Sequence, residues 1–354
     1  MIRGPDDGSA CGLPPDDIPW AELAAPLVAA EDALARLDER LRTSPIRDGF
    51  LSRAHYADAC ASLWLEGELV PVEDLVLHDA SADIRAPTPQ LARALIVLQT
   101  RRAIAARPSE RALPGDAGVA GIGDGDSSAS ASNTAFDDAL SNLDTALART
   151  ERILSGGDTP AKAQAAITAF MPVAGDEFAG GGWRQAAAAV SHLPPLLAAG
   201  LLWDRWETVP PVPARTWLGR QMAAAYLRER GKAAAHLPAI SAALRMVAWE
   251  RRRARLRDVR LRAWLDAVCA GAQSALAEHD RLSLAISLLE QKCGQRRATS
   301  RLPDLVAFAA ANPLITAATA AKALGVTRRA ARNLIAELDI HEATGRGRYK
   351  AWML

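Results

Sequence analysis

Apolar residues recur at helical spacing along most of the chain. From Trp20 they fall four or seven residues apart, at Leu23, Leu27, Leu34 and Leu41, which is the period of an amphipathic helix. Alternation typical of strands is almost absent until the last fifteen residues. The pattern predicts a mainly α fold. Its predicted helices cover 20–41, 50–66, 88–107, 136–154, 160–170, 183–202 and 216–230, with two long helices over 238–293.

Breaks in this periodicity divide the chain into segments. The start is rich in Pro, Asp and Gly, and a second stretch rich in Gly, Ser, Ala and Asp lacks a buried period, which is typical of loose or flexible chain. The predicted organisation is a disordered N-terminus (1–19), an N-terminal helical region (20–106), a flexible linker (107–133), a helical body (134–300) and a C-terminal module (301–354).

The C-terminal module has the sequence pattern of a helix-turn-helix. Thr316 and Thr327 can each cap a helix with a side-chain oxygen, and Gly325 lies between them where a sharp turn needs a positive φ. Ala321 is small enough for two helices to cross closely. Such a motif places its second helix in the DNA major groove. The inward stripe is predicted to be Leu324, Val326, Ala331, Leu334 and Leu338.

Side chains that can read bases follow on the outward face of the second helix. Arginine can donate two hydrogen bonds to guanine O6 and N7, and asparagine can pair in the same way with adenine N6 and N7. The predicted base-reading residues are Arg328, Arg329, Arg332 and Asn333.

The last residues predict a β-hairpin with a basic tip, which would form a wing. Residues 340–344 and 348–352 flank Gly345-Arg346-Gly347, and Arg346, Arg348 and Lys350 are predicted to contact phosphates. Residues 301–354 hold 8 Lys/Arg and 4 Asp/Glu, a net charge of +4. The alternatives are a helical hairpin with a solvated basic face and a winged helix used for protein contacts.

Charge is unevenly distributed along the chain although the total is +1. Residues 1–150 carry a net −11 and the remainder a net +12, which favours an acidic module joined to a basic one that could meet a polyanion. Eight arginines lie between Arg245 and Arg262. Their stems could cover apolar surface, or their guanidinium groups could add phosphate contacts, and the sequence leaves both open.

Several classes of protein are excluded by composition. No stretch reaches the ~18 apolar residues of a membrane helix, and the acidic, Pro-broken start is unlike a signal peptide. The four cysteines and six histidines are scattered without metal-site or catalytic spacing. We expect a soluble cytoplasmic protein with no metal and no cofactor.

One motif resembles a known family. Ser62-Leu63-Trp64-Leu65-Glu66-Gly67 resembles the (S/T)xxxE(G/N) inhibitory-helix motif of Fic-domain proteins, in which the glutamate reaches an active-site arginine and blocks nucleotide binding. The region from Leu237 onward, followed by the winged helix, is similar to the C-terminal half of longer Fic proteins. The resemblance implies a Fic-like helical body.

The sequence departs from that family at its catalytic motif. Fic enzymes carry HPFx(D/E)GNGRxxR, but here His192 is followed by Leu193-Pro194, and only Gly219-Arg220 is similar to the end of the motif. Without the base and the anion-binding loop, nucleotide transfer lacks its machinery. We therefore expect no enzyme, a Glu66 without its arginine partner, and structural roles for Ser62 and Glu66.

The combination resembles a bacterial family of unknown function with a C-terminal helix-turn-helix. The sequence predicts a protein that binds double-stranded DNA, acts as a transcriptional regulator and could form a homodimer. The alternatives are a divergent Fic-type nucleotidyl (AMP) transferase with a rearranged site near His192 and Arg220, and a protein-binding regulatory partner.

Overall fold

A computed structural model describes residues 18–80, 87–113, 182–208, 215–294, 300–343 and 350–354. This part of the chain is mainly α-helical, as the apolar periodicity predicts, with one small sheet near the C-terminus. None of the described helices is long and apolar enough to cross a membrane. The helices are α1 (Trp20–Arg42), α2 (Arg47–Trp64), α3 (Val72–Asp79), α4 (Pro89–Ala106), α5 (Gly182–Ala189), α6 (Pro195–Thr208), α7 (Thr216–Glu229), α8 (Ile240–Arg245), α9 (Trp249–Arg252), α10 (Arg257–Gly294), α11 (Leu302–Ala311), α12 (Ala317–Leu324) and α13 (Arg328–Leu338), and the strands are β1 (Ile315–Thr316), β2 (His341–Glu342) and β3 (Ala351–Met353).

The start of α4 follows local chemistry that the sequence displays. The start of α4 combines Thr88, whose hydroxyl accepts a hydrogen bond from the Leu91 amide at 3.2 Å, with Pro89 in the first turn. Proline is favoured there because its missing N–H would have no helical partner.

The predicted helices over 136–154 and 160–170 lie outside the described residues, as does the linker beyond Leu113.

Two predicted helix boundaries are wrong. The predicted helix over 183–202 is two helices, since Pro194 and Pro195 cannot continue α5, and Pro195 begins α6. The region 238–293 holds two short helices and one long one instead of two long helices. In the turns between these helices, arginine side chains donate hydrogen bonds to backbone carbonyls. Arg252 donates to Val247 O at 3.0 Å, and Arg260 donates to Ala254 O at 2.7 Å.

The 38-residue helix α10 connects two apolar clusters. Its N-terminal half packs with α1 to α8 in a larger cluster that includes Trp206 and Trp264. Its C-terminal half packs with α11, α12 and α13 in a second cluster that includes Leu282 and Ile286. The C-terminal module therefore shares its core with the body.

An irregular stretch of backbone, residues 233–239, runs between these helices and is buried apart from the exposed Ala234 and the half-buried Ala239. Ala233 and Leu237 are almost fully buried although no helix or strand pairs their backbone. On one side, Asp38 of α1 accepts hydrogen bonds from the Ala235 amide at 2.8 Å and from His236 Nδ1 at 2.9 Å. Such partners are needed because buried backbone groups without hydrogen bonds are costly.

A buried ion pair holds the other side of this stretch. Arg101 of α4 and Asp58 of α2 have side chains only 1% exposed and lie 2.8 Å apart. Arg101 also donates to the carbonyls of Leu237 and Pro238, while Asp58 accepts from the amide of Ala242 at the start of α8. The pair thus joins α2, α4 and α8.

Replacing Arg101 with methionine should destabilise the protein by ~3–5 kcal/mol, because Asp58 would remain buried without its counter-ion. Urea unfolding of the full chain would measure the change. Arg36→Met is the control, since Arg36 pairs with Asp32 at an exposed i,i+4 position and should cost under ~0.5 kcal/mol. Equal effects for both variants would contradict a structural role for the buried pair.

The free energy of unfolding should fall as the pH decreases below the pKa of a free histidine. Burial, and then the charges of Arg101 and Arg102, lower the pKa of His55 to about 2. Because the unfolded chain binds this proton near pH ~6.5 and the native state does not, unfolding becomes easier by about 2 kcal/mol between about pH 7.5 and about pH 5. In urea unfolding, His55→Gln should remove about this much of the dependence and leave the part that comes from His236, whose pKa is also lowered by burial. His192→Gln, in an exposed turn, should leave the dependence unchanged.

Candidate nucleic-acid interface

The helix-turn-helix of α12 and α13 has one capping threonine at the start of each helix and one glycine in the turn between them. Thr316 accepts a hydrogen bond from the Thr319 amide at 3.1 Å, and Thr319 Oγ1 accepts from the Thr316 amide at 2.9 Å, so the two residues form a reciprocal cap. Gly325 then ends α12 with φ +67°. This left-handed conformation reverses the chain within two residues, because glycine adopts it without strain.

Helix α13 presents one apolar and one polar face. Thr327 caps it by accepting a hydrogen bond from the Ala330 amide at 3.2 Å. The predicted inward residues Ala331 and Leu338 are buried, but the most buried large side chain of the helix, Ile335, was missed by the sequence analysis. Its spacing, four residues after Ala331 and three before Leu338, would have identified it.

The four predicted base-reading side chains share the outward face of α13. All of them are exposed, and all lie in the first six residues of the helix. The N-terminal residues of the second helix are those that contact base edges in a helix-turn-helix. The set is Arg328, Arg329, Arg332 and Asn333.

A three-stranded antiparallel sheet lies beside α13, in the order β1-β3-β2. The predicted hairpin strands are observed as β2 and β3, in which His341 pairs with Met353. Strand β1, which the sequence did not predict, pairs Ile315 with Trp352. Lys350 is exposed and forms a 2.7 Å ion pair with Glu342. The predicted phosphate contacts Arg346 and Arg348 lie outside the described residues.

The helix-turn-helix is attached to the body through α2. Gly49 touches the end of α11 so closely that a Cβ there would overlap the carbonyl oxygen of Ala310. One turn later, Arg53 donates to the carbonyls of Ala309, Ala310 and Asn312 at 2.7–2.8 Å. A single guanidinium group thus binds the free carbonyls at the C-terminal end of α11.

The arginine-rich stretch of 245–262 mainly makes contacts within the protein. Arg251 pairs with Asp266, and both Arg257 and Arg260 pair with Asp204. The guanidinium groups of two others, Arg245 and Arg252, lie over the Trp64 ring at 5.4 and 5.9 Å. These contacts favour the structural interpretation, although Arg255 and Arg262 are exposed.

The expectation that Glu66 lacks an arginine partner is wrong. Glu66, in the turn after α2, accepts hydrogen bonds from Arg220 at 3.0 Å and from Arg93 at 2.8 Å. Arg220 has a side chain only 3% exposed and also pairs with Glu207 at 2.8 Å. The physical reason is that a buried guanidinium group needs carboxylates close to it. Ser62 supports the same region through a 2.7 Å hydrogen bond to Ser241.

The part of the chain that the structure describes contains no candidate metal site. There, no three His, Cys, Asp or Glu side chains are placed so that they could hold a metal ion. His192, the predicted centre of the alternative transferase site, lies in the exposed turn between α5 and α6.

In comparisons with known proteins, two separate regions of the chain match protein families. Residues 180–294 match a family described as "Protein of unknown function (DUF1612)", and residues 302–354 match one described as "HTH DNA binding domain". Over 366 aligned positions, the chain is 37% identical to "Uncharacterized protein y4cF" of Sinorhizobium fredii (strain NBRC 101917 / NGR234). The alignment covers 93% of this chain and 96% of that relative.

Replacing Gly325 with alanine should destabilise the helix-turn-helix by ~1–2 kcal/mol. The cost comes from backbone conformation alone, because no described atom lies within 4 Å of a Cβ placed there. Gly294→Ala is the matched control, since its Cβ would also meet no described atom within 4 Å and its φ is not in the left-handed region. Thermal unfolding of both variants would measure the difference. Similar melting temperatures for the two would contradict the assignment of the turn.

Proposed function

The chain belongs to one family with protein y4cF, and because its C-terminal residues form a helix-turn-helix, we propose that it is a sequence-specific DNA-binding protein that regulates transcription. The observation that carries this proposal is the polar face of α13. Arg328, Arg329, Arg332 and Asn333 are exposed together at the start of the helix, where side chains of a recognition helix meet base edges.

The strands beside α13 would act as a wing that contacts the phosphate backbone. Lys350, Arg346 and Arg348 would supply positive charge there. The ion pair between Lys350 and Glu342 is exposed, and exposed pairs contribute only ~0–1 kcal/mol. Lys350 could therefore exchange Glu342 for a phosphate at little cost.

The helical body would be a Fic-like scaffold without enzymatic activity. The sequence lacks the family's catalytic string, and the two terminal nitrogens of Arg220 already donate to Glu66, Glu207 and the carbonyl of Ser62. A homodimer would fit an operator with two half-sites. Binding to the chromosome would locate the protein in the cytoplasm.

A second candidate function is supported by the contact between Glu66 and Arg220. This contact is what the resemblance to inhibited Fic proteins implies, so a divergent nucleotidyl transferase is worth testing. Transfer of AMP to a target protein, abolished by His192→Ala, would support it.

Co-purification with a protein partner in the absence of DNA affinity would instead favour a protein-binding regulatory role.

Selection of genomic DNA fragments by the full chain, followed by binding measurements at several salt concentrations, tests the main proposal. Affinity for the recovered sequences should fall steeply as salt rises, because phosphate contacts release counterions. Failure to bind any fragment at low salt would overturn the proposal and direct attention to protein partners.

Arg332→Ala should weaken binding to the selected sequence by ~1–3 kcal/mol, roughly 5- to 150-fold, if Arg332 reads a base pair. Binding to unrelated DNA should change much less. Fluorescence anisotropy with labelled duplexes would measure both affinities. Arg36→Ala, at an exposed position of α1, is the control and should change neither. Equal losses on selected and unrelated DNA would assign Arg332 to phosphate contact instead of base reading.

A further inference from the structure

An exposed surface of mixed apolar and basic side chains lies where α2, α8 and α9 meet. Met246 and Trp249 are 54% and 62% exposed, and Trp64, the last residue of α2, is 38% exposed. The Cζ atoms of Arg245 and Arg252 lie 5.4 and 5.9 Å from the centre of the Trp64 ring. Met246 follows Arg245 in the chain, and Trp249 lies one helical turn before Arg252. These five residues form one patch, the tryptophan–arginine surface.

The two guanidinium groups of this surface keep most of their N–H groups free. Arg252 donates from Nε to the Val247 carbonyl at 3.0 Å. Within the described residues, Arg245 has no hydrogen-bond acceptor, and neither arginine has a carboxylate within ion-pair distance. The edge of a guanidinium group matches the two oxygens of a carboxylate. Because contact with the Trp64 ring already orients both groups, they lose less freedom when they bind an anion.

We propose that the tryptophan–arginine surface docks an acidic segment of a partner protein. An apolar side chain of that segment would pack against Trp249 and Met246, and carboxylates beside it would accept hydrogen bonds from Arg245 and Arg252. Tryptophan, methionine and arginine are enriched in protein interfaces, and tryptophan and arginine supply many of the strongest contacts there. Since Glu250 is the only acidic residue of α9, the two arginines leave a net positive charge that favours an acidic partner.

Nucleic acids fit this surface less well than an acidic protein segment. Duplex DNA meets proteins mainly through phosphates and base edges, which would leave Met246 and Trp249 without an apolar partner. A single strand stacks its bases on successive aromatic rings. Two guanidinium groups already lie over Trp64, so Trp249 is the one ring of the surface left for stacking. A single-stranded nucleic acid is therefore the alternative that the test has to separate.

The tryptophan–arginine surface lies near the N-terminal end of α10, away from the helix-turn-helix. Helix α9 is joined to the N-terminal half of α10 by the ion pair between Arg251 and Asp266, whereas the helix-turn-helix packs against the C-terminal half. A helix of 38 residues is ~57 Å long. DNA bound at α13 should therefore leave the surface accessible to a partner. This consequence rests on the proposed function, whereas the docking surface itself does not.

Three fluorescently labelled peptides test the chemistry of the surface. The probe repeats the sequence Glu-Glu-Leu four times, one control has serine in place of leucine, and the other has glutamine in place of glutamate. Anisotropy titrations with the full chain should show saturable binding of the probe that weakens as salt rises, and ~10-fold or weaker binding of both controls. Equal binding of the serine peptide, or no binding of the probe up to ~1 mM, would overturn the proposal.

Substitutions locate the bound peptide on the protein. Trp249→Ala and Arg245→Gln should each weaken binding of the probe by ~5-fold or more, as expected for central interface residues. Trp20→Ala is the matched control, since Trp20 is a tryptophan of α1 that is 44% exposed, and Arg36→Gln is the control for charge. All four side chains are exposed, so the variants should keep the melting temperature of the parent. Equal affinities in Trp249→Ala and Trp20→Ala would contradict docking on this surface.

Fluorine NMR of the full chain labelled with fluorotryptophan reads the contact directly. The resonance of Trp249 is identified by its absence in Trp249→Phe, and that of Trp20 by its absence in Trp20→Phe. The probe should shift the first resonance saturably and leave the second unchanged. A single-stranded oligomer of deoxythymidine is titrated in parallel, and a shift of Trp249 with the oligomer but not with the peptide would overturn the proposal in favour of nucleic acid. These measurements hold even if the helix-turn-helix binds no duplex DNA, so the two failures are distinguishable.

Discussion

The architecture depends on how one buried stretch of irregular backbone satisfies its hydrogen bonds. Residues 235–238 are buried and belong to no helix or strand, so side chains must pair their polar groups. Asp38, Arg47 and Arg101 supply these partners from α1, α2 and α4. Arg101 is buried and compensated by Asp58, whereas Arg47, with a side chain 40% exposed, reaches the stretch from the surface. These hydrogen bonds hold the three helices around the stretch. Helix α2 therefore contacts the stretch through Arg47 and the end of α11 through Arg53.

The helix-turn-helix was predictable because its determinants are local. Two capping threonines, one glycine and a short apolar period lie within about two dozen residues. In the structure the threonines cap the starts of the two helices, and the glycine forms the turn between them. Strand β1 was not predictable in this way, since its two residues become a strand only by pairing with β3, more than thirty residues later. The same holds for Asp38 and Arg101, whose partners in the irregular stretch lie 197 and 136 positions away.

The pairing of charged side chains was the feature least predictable from the sequence. A count of arginines in 245–262 shows positive charge but not the carboxylates that meet it, and Asp204 alone binds two of these arginines. Glu66 was expected to stand without an arginine because the sequence motif around Arg220 is incomplete. The fold nevertheless brings them together, since burial of Arg220 requires a counter-ion whatever the surrounding motif. The net +12 of the second part of the chain therefore overstates the charge available to a polyanion.

The contact of Gly49 and Arg53 with α11 limits how modular the C-terminal region is. If residues 302–354 were fused to another protein, they would lose the Arg53 guanidinium group that binds three carbonyls at the end of α11. They would also lose the α10 surface that completes their core. A chimeric protein would have to include α2 and α10, so the smallest portable unit is assembled from three distant parts of the chain. Recombination that exchanges only the C-terminal module is correspondingly restricted, because it would separate these residues from the surfaces that complete their core.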